Sequence, residues 1–111
     1  MKCCIIIRKD LKMSHGKIIS QVSHAIVNMV KNTNKKKLKK WMKNGEKIVS
    51  LKINSKQELL ALHKKALENN IYSNIIMDAG LTQIESDVTV CLIGPDNDWS
   101  IDTITKDLKL F

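Results

Sequence analysis

The run Cys3-Cys4-Ile5-Ile6-Ile7, closed by Arg8-Lys9-Asp10, constrains the fold more than any other stretch of the chain. Five consecutive apolar residues do not alternate as a strand with one wet face would, and they are too few for a buried helix. They fit a strand covered on both faces, the kind found in sheets sandwiched between helices. The segments that follow support such a sandwich. Ser14 offers an N-cap to a helix reaching about Lys31, with Ile18, Ile19, Val22, Ala25, Ile26, Met29 and Val30 at helical spacing. A basic helix over about Lys35–Asn44 carries the apolar stripe Leu38, Trp41 and Met42 and stops at Asn44-Gly45. Lys47–Ile53 alternates like a strand, and Ser55 with Glu58 forms a capping box that opens a helix through about Glu68. Strands are predicted at Ser73–Met77 and Val88–Ile93, with Gly94-Pro95 breaking the last one before a closing helix over Trp99–Leu108.

The order β-α-α-β-α-β-β-α predicts an α/β, three-layer sandwich: a mixed four-stranded β-sheet with helices on both faces. The last two strands are too close in sequence for a crossover helix and should be antiparallel. With 111 residues and no Pro/Gly/Ser-rich linker, residues 1–111 read as a single domain. In such sheets the ligand site lies beyond the carboxyl ends of the parallel strands. The loop Asp10–Gly16, the loop Asp78–Asp87 and the strand start near Thr89 are predicted to meet there.

The net charge of +8 is unevenly spread. Residues 31–47 hold eight Lys and only Glu46, while residues 76–111 hold two Lys against seven acids. An AT-rich coding bias would scatter Lys along the chain and would not gather it beside an acidic third. The cluster therefore reads as a surface for an anionic partner, nucleic acid before membrane, since the Lys helix has only a short apolar stripe that its own core needs. Cys3, Cys4 and Cys91 lack metal-ligand spacing and fall in apolar runs, which fits buried free thiols in a reducing compartment. The Cys3–Ile7 run is too short for a signal peptide, and no stretch approaches a membrane span. A cytoplasmic location is expected.

Candidate chemistry centres on the first helix. At about 100° per residue, Lys17, Gln21, His24 and Asn28 fall within one stripe roughly 60° wide. A solvated helix edge in a Lys-rich chain would hold more charge, so a neutral Gln and a titratable His behind a Lys read as a site wall. Asp78 ends an apolar strand and precedes Ala79-Gly80. Such an Asp is often only a turn former, but its place at the same sheet edge as Lys17 and His24 suggests a group that could orient and deprotonate water. His63, among leucines on a surface helix, reads as structural. The chain has no Gly-rich phosphate loop, no Gly-x-Ser-x-Gly elbow and no His-Glu-x-x-His metal pair. None of the cysteines has a setting that would make it a nucleophile.

These residues resemble the type 2 peptidyl-tRNA hydrolases. RKDLKMSHGKIISQVSHA (8–25), LKKWMKNGEKIVSLK (38–52), DAGLTQI (78–84), TVCLIGP (89–95) and DLKLF (107–111) are similar to that family's blocks in the same order. The resemblance implies hydrolysis of the ester joining a peptide to the 3′ ribose of tRNA, with no cofactor and no metal. It implies tRNA as partner and leaves a homodimer open. The family's functional set falls on Lys17, Gln21, His24, Asp78, Thr82 and Thr89. Asp78, with His24, is expected to activate water, and Lys17 to stabilise the oxyanion or hold a phosphate. Gln21, Thr82 and Thr89 are expected to hydrogen-bond the ester or terminal nucleotide. Lys35, Lys36, Lys37, Lys39, Lys40 and Lys43 are expected to track acceptor-stem phosphates. Two departures favour an alternative, an RNA-binding module without turnover: His15 stands where the family usually has Lys, and the loop at 85–88 lacks its usual Pro-Gly.

Overall fold

The computed structural model describes residues 1–78 and 87–111. The elements follow the expected order: β1 (Lys2–Arg8), α1 (His15–Asn32), α2 (Lys35–Lys43), β2 (Ile48–Ile53), α3 (Lys56–Glu68), β3 (Ser73–Met77), β4 (Val88–Asp96) and α4 (Asp98–Thr105). The strands form one mixed sheet in the order β2-β1-β4-β3. β1 is parallel to β2 and antiparallel to β4, and β3 is antiparallel to β4. β1, β2 and β3 therefore run the same way and end at one edge, where β4 begins.

The apolar run of β1 is the seam of two cores. Cys3, Ile5 and Ile7 face α1 and α2, packing with Ala25, Met29, Leu38 and Trp41. Cys4 and Ile6 face the other way, toward Leu59, Ala66, Ile101 and Ile104 of α3 and α4. Each helix opens on the cap that its sequence supplies: Ser14 accepts from the Lys17 amide, Asn34 from Lys36 and Lys37, Ser55 from Glu58, and Asn97 from Ser100. Gly45 closes α2 at φ +100°, a conformation open to glycine at little cost.

Three features differ from expectation. Gly94-Pro95 does not end β4, because the ladder skips one residue there and resumes with Asp96 opposite Lys2. Gly94 is required at that bulge: its φ is +109°, and a Cβ would lie 2.9 Å from the Lys2 carbonyl oxygen. α4 stops at Thr105 rather than Leu108, and the chain turns back so that Leu110 bridges Leu51 on the outer edge of β2. The Lys52 amide donates to Lys109 O and the Phe111 amide to Ser50 O, so the tail covers backbone groups that an edge strand would otherwise expose. Finally, Ile19, Val27 and Val30 of α1 are exposed, Ile19 at 66 %. Only one side of α1 meets the sheet, so the wide apolar arc read from the sequence exceeds what the fold can cover.

Candidate active site

Lys17 near the start of α1 and Asp78 just past β3 meet at the common strand edge. The Lys17 Nζ lies 2.7 Å from Asp78 Oδ1, with side chains 38 % and 26 % exposed. One turn further along α1, Gln21 Nε2 donates to Thr89 Oγ1 at 2.7 Å, and the Thr89 hydroxyl donates to Ile76 O at 3.1 Å. Gln21 and Thr89 are only 6 % and 2 % exposed. Two polar rungs therefore join α1 to the β3–β4 pair: an outer ion pair open to solvent, and an inner neutral strut.

The inner strut depends on a bulge. Ile76 pairs with Val90 but Met77 pairs with Val88, so Thr89 is the extra residue. The bulge turns Thr89 toward α1, on the same face as its neighbour Val90. Strict alternation along β4 would have placed Thr89 on the opposite face from Val90.

Helix phase explains how the polar stripe divides. The buried face of α1 is Gln21, Ala25 and Met29, centred roughly 80° round from Lys17. Gln21 lies at the margin shared by stripe and buried face, whereas His24 and Asn28 lie on the solvent side and are exposed. His24 makes no hydrogen bond or ion pair among the described residues, and the structure does not bring it onto Asp78. His15 is exposed at the first position of α1. Thr82 and the loop positions 85 and 86 lie outside the described residues.

The lysine run occupies the other end of the sheet. Lys37 Nζ is 2.6 Å from Asp96 Oδ2, and Asp96 pairs with Lys2 at the start of β1. Trp41 Nε1 donates to Lys47 O, which also accepts from the Cys3 amide. α2 thus crosses the edge where β1 begins, about 20 Å along the strands from Asp78. The lysine surface and the Lys17–Asp78 pair therefore stand at opposite ends of the sheet. The 18 residues of α1 span about 27 Å and carry the chain from one edge to the other. Lys35, Lys36, Lys39, Lys40 and Lys43 are exposed and form no ion pair among the described residues, whereas Lys37 is taken up by Asp96.

Arg8 and Asp87, which the motif reading does not single out, stand at the same edge as Lys17 and Asp78. Arg8 is 7 % exposed and pairs with both Asp10 and Asp87. A signal was available: a cation ending a strand covered on both faces must find carboxylates, and Asp10 is two residues away. The remaining candidates are structural. Burial pushes the thiols of Cys3 and Cys91 up to about 12, and that of Cys4 upward as well, so none supplies a thiolate nucleophile near neutral pH. His63 Nδ1 is 2.7 Å from Ser73 Oγ, and burial lowers its pKa. Among the described residues no three His, Cys, Asp or Glu side chains converge to hold a metal ion. No helix among them is long and apolar enough to cross a membrane.

Comparison with known proteins bears on the chain as a whole. The family model described as peptidyl-tRNA hydrolase PTH2 matches residues 1–111. The chain is similar to a peptidyl-tRNA hydrolase of Methanothermobacter thermautotrophicus, at 46 % identity over 111 residues and 99 % of each chain. It is also similar to proteins of the same name from Haloquadratum walsbyi, 40 % identical over the whole of both chains, and Methanocaldococcus jannaschii, 40 % identical over 99 % of each.

Proposed function

This chain belongs to the peptidyl-tRNA hydrolase PTH2 family, and from that membership we propose that it hydrolyses the ester of peptidyl-tRNA, freeing tRNA and peptide, at the Lys17–Asp78 edge. Residues 1–111 act as one hydrolase domain in the cytoplasm, without a metal or other cofactor. The observation that carries the site assignment is the 2.7 Å pair of Lys17 and Asp78 at the ends of the parallel strands.

The chemistry follows from that pair. Asp78 orients a water and takes its proton as the water oxygen attacks the ester carbonyl carbon. The ammonium of Lys17 has three donors; one holds Asp78 and another faces the oxyanion that forms. Collapse breaks the bond to the ribose oxygen, which takes the proton held by Asp78 as it leaves, so the peptide carboxylic acid is released and the Asp78 carboxylate restored. Gln21 and Thr89 hold α1 at its distance from β3 and β4, and so hold Lys17 to Asp78. Gln21 and Thr82 hydrogen-bond the ester or the terminal nucleotide. His24, one turn from Gln21 on the solvent side, contacts the incoming RNA or assists the water.

A duplex stem lying along α1 would reach from this site to α2 about 20 Å away, placing its phosphates on Lys35, Lys36, Lys39, Lys40 and Lys43. Recognition of that kind reads shape and charge rather than sequence. Changing Lys36, Lys39 and Lys40 together to Gln is expected to raise KM by roughly tenfold at moderate salt. It should also lessen the slope of log KM against log salt by about 2 to 3, with kcat unchanged. An unaltered slope would return the lysine run to coding bias. The direct test of function is release of N-acetylaminoacyl groups from tRNA by the purified chain, with expected turnover well above a blank. Binding of tRNA without release would favour the alternative, an RNA-binding module of the same fold.

A further inference from the structure

We propose that Arg8 is a positioning residue for the reaction, holding Asp78 and Lys17 in register by gripping Asp10, at the root of the loop into α1, and Asp87, whose carbonyl holds the Asp78 amide. The proposal rests on the hydrolase reading above and deepens it. Four contacts define the grip. Arg8 Nε and Nη2 donate to Asp10 Oδ1 and Oδ2 at 3.2 and 2.6 Å, and Nη1 donates to Asp87 Oδ1 at 3.0 Å and to Val88 O at 2.9 Å.

Each contact leads to the site. Asp10 opens the loop that delivers Ser14, whose hydroxyl caps the Lys17 amide. Asp87 O accepts from the Asp78 amide at 2.7 Å, so the residue that Arg8 grips is bonded directly to the backbone of Asp78. Asp87 Oδ1 also accepts from the Val88 amide, and Lys56 Nζ stands 3.7 Å away. One planar cation thus ties the end of β1, the loop into α1 and the start of β4 together, beneath a pair that must keep hydrogen-bond geometry.

The chemistry suits arginine and not lysine. Four of the five guanidinium N–H groups are used in two directions from one rigid plane, which an ammonium cannot reproduce. The Arg8 guanidinium holds the Asp10 carboxyl below the usual carboxylate range, so the grip persists at neutral pH. Arg8 is buried behind these partners and touches no reacting atom. Its effect passes through Asp78.

The test compares wild type, Arg8→Lys and Asp87→Ala in N-acetylaminoacyl-tRNA hydrolysis, with the number of tRNA-binding sites per chain measured on the same samples. Arg8→Lys keeps the charge and loses the two-way grip, and is expected to lower kcat roughly 10- to 100-fold, the cost of a displacement near 1 Å. KM should stay within about twofold and binding stoichiometry unchanged. Asp87→Ala, at a half-exposed position, tests the same route if Arg8→Lys does not fold, and should lower kcat by about tenfold. Wild-type kcat in both variants would overturn the role of Arg8. So would a loss of kcat matched by a loss of tRNA-binding sites, which is what general unfolding gives. Absence of turnover in the wild type would instead overturn the hydrolase reading itself.

Discussion

Asp78→Asn is expected to lower kcat for peptidyl-tRNA hydrolysis by roughly 100- to 1,000-fold while leaving KM within about twofold. The substitution is isosteric, and its Oδ1 can still accept a hydrogen bond from Lys17, now 2.7 Å away. What disappears is the group that accepts the proton of the attacking water. Ground-state affinity should be little altered, because on the proposed reading most of it comes from phosphates about 20 Å away on α2. Stability should change by about 1 kcal/mol or less, since both partners are more than a quarter exposed and such pairs are screened. Thermal unfolding recorded beside steady-state kinetics separates the effects. A rise in KM at unchanged kcat would mean that Asp78 holds substrate and activates nothing.

The sequence made the fold legible wherever burial on both faces left a pattern that no other structure satisfies. The five apolar residues of β1 placed it inside a sandwich, and the cap residues Ser14 and Ser55 sit where α1 and α3 begin. The Lys17–Asp78 edge followed from strand direction alone. Four things were illegible for identifiable reasons. The bulge that turns Thr89 toward Gln21 is one residue of register, and a strand buried along its whole length gives no period from which to detect it. Helix angle grouped His24 with Lys17 and Gln21, but a stripe lying beside the buried face is split by that face. Gln21 goes under at 6 % exposure and His24 stays outside. The distance between α2 and the site depends on which edge α1 ends at, which charge counts along the chain do not record. The tail pairing of Leu110 with Leu51 joins residues far apart in sequence by backbone groups, which side-chain patterns do not report.

Lys17→Met decides between the two roles open to the cation, and its effect should rival that of Asp78→Asn. Met keeps an unbranched apolar stem on α1 and removes only the ammonium. If Lys17 stabilises the oxyanion, kcat should fall on the order of 100- to 1,000-fold, as for loss of an oxyanion donor, with KM and its salt slope unchanged. If it holds a phosphate near the end of the tRNA, KM should rise and the salt slope lessen by about one, with kcat retained. The geometry favours the first outcome, because the Lys17 Nζ is already committed to Asp78 at 2.7 Å and sits where the strands end, away from the lysine surface of α2. The same geometry makes the two largest losses interdependent. Lys17→Met takes from Asp78 the cation beside it, and Asp78→Asn takes from Lys17 the carboxylate that sets its direction. The doubly substituted chain should therefore be no slower than the slower single variant, within about threefold, because groups that act as a unit are lost together. Losses that multiply would show instead that Lys17 and Asp78 act on separate parts of the substrate.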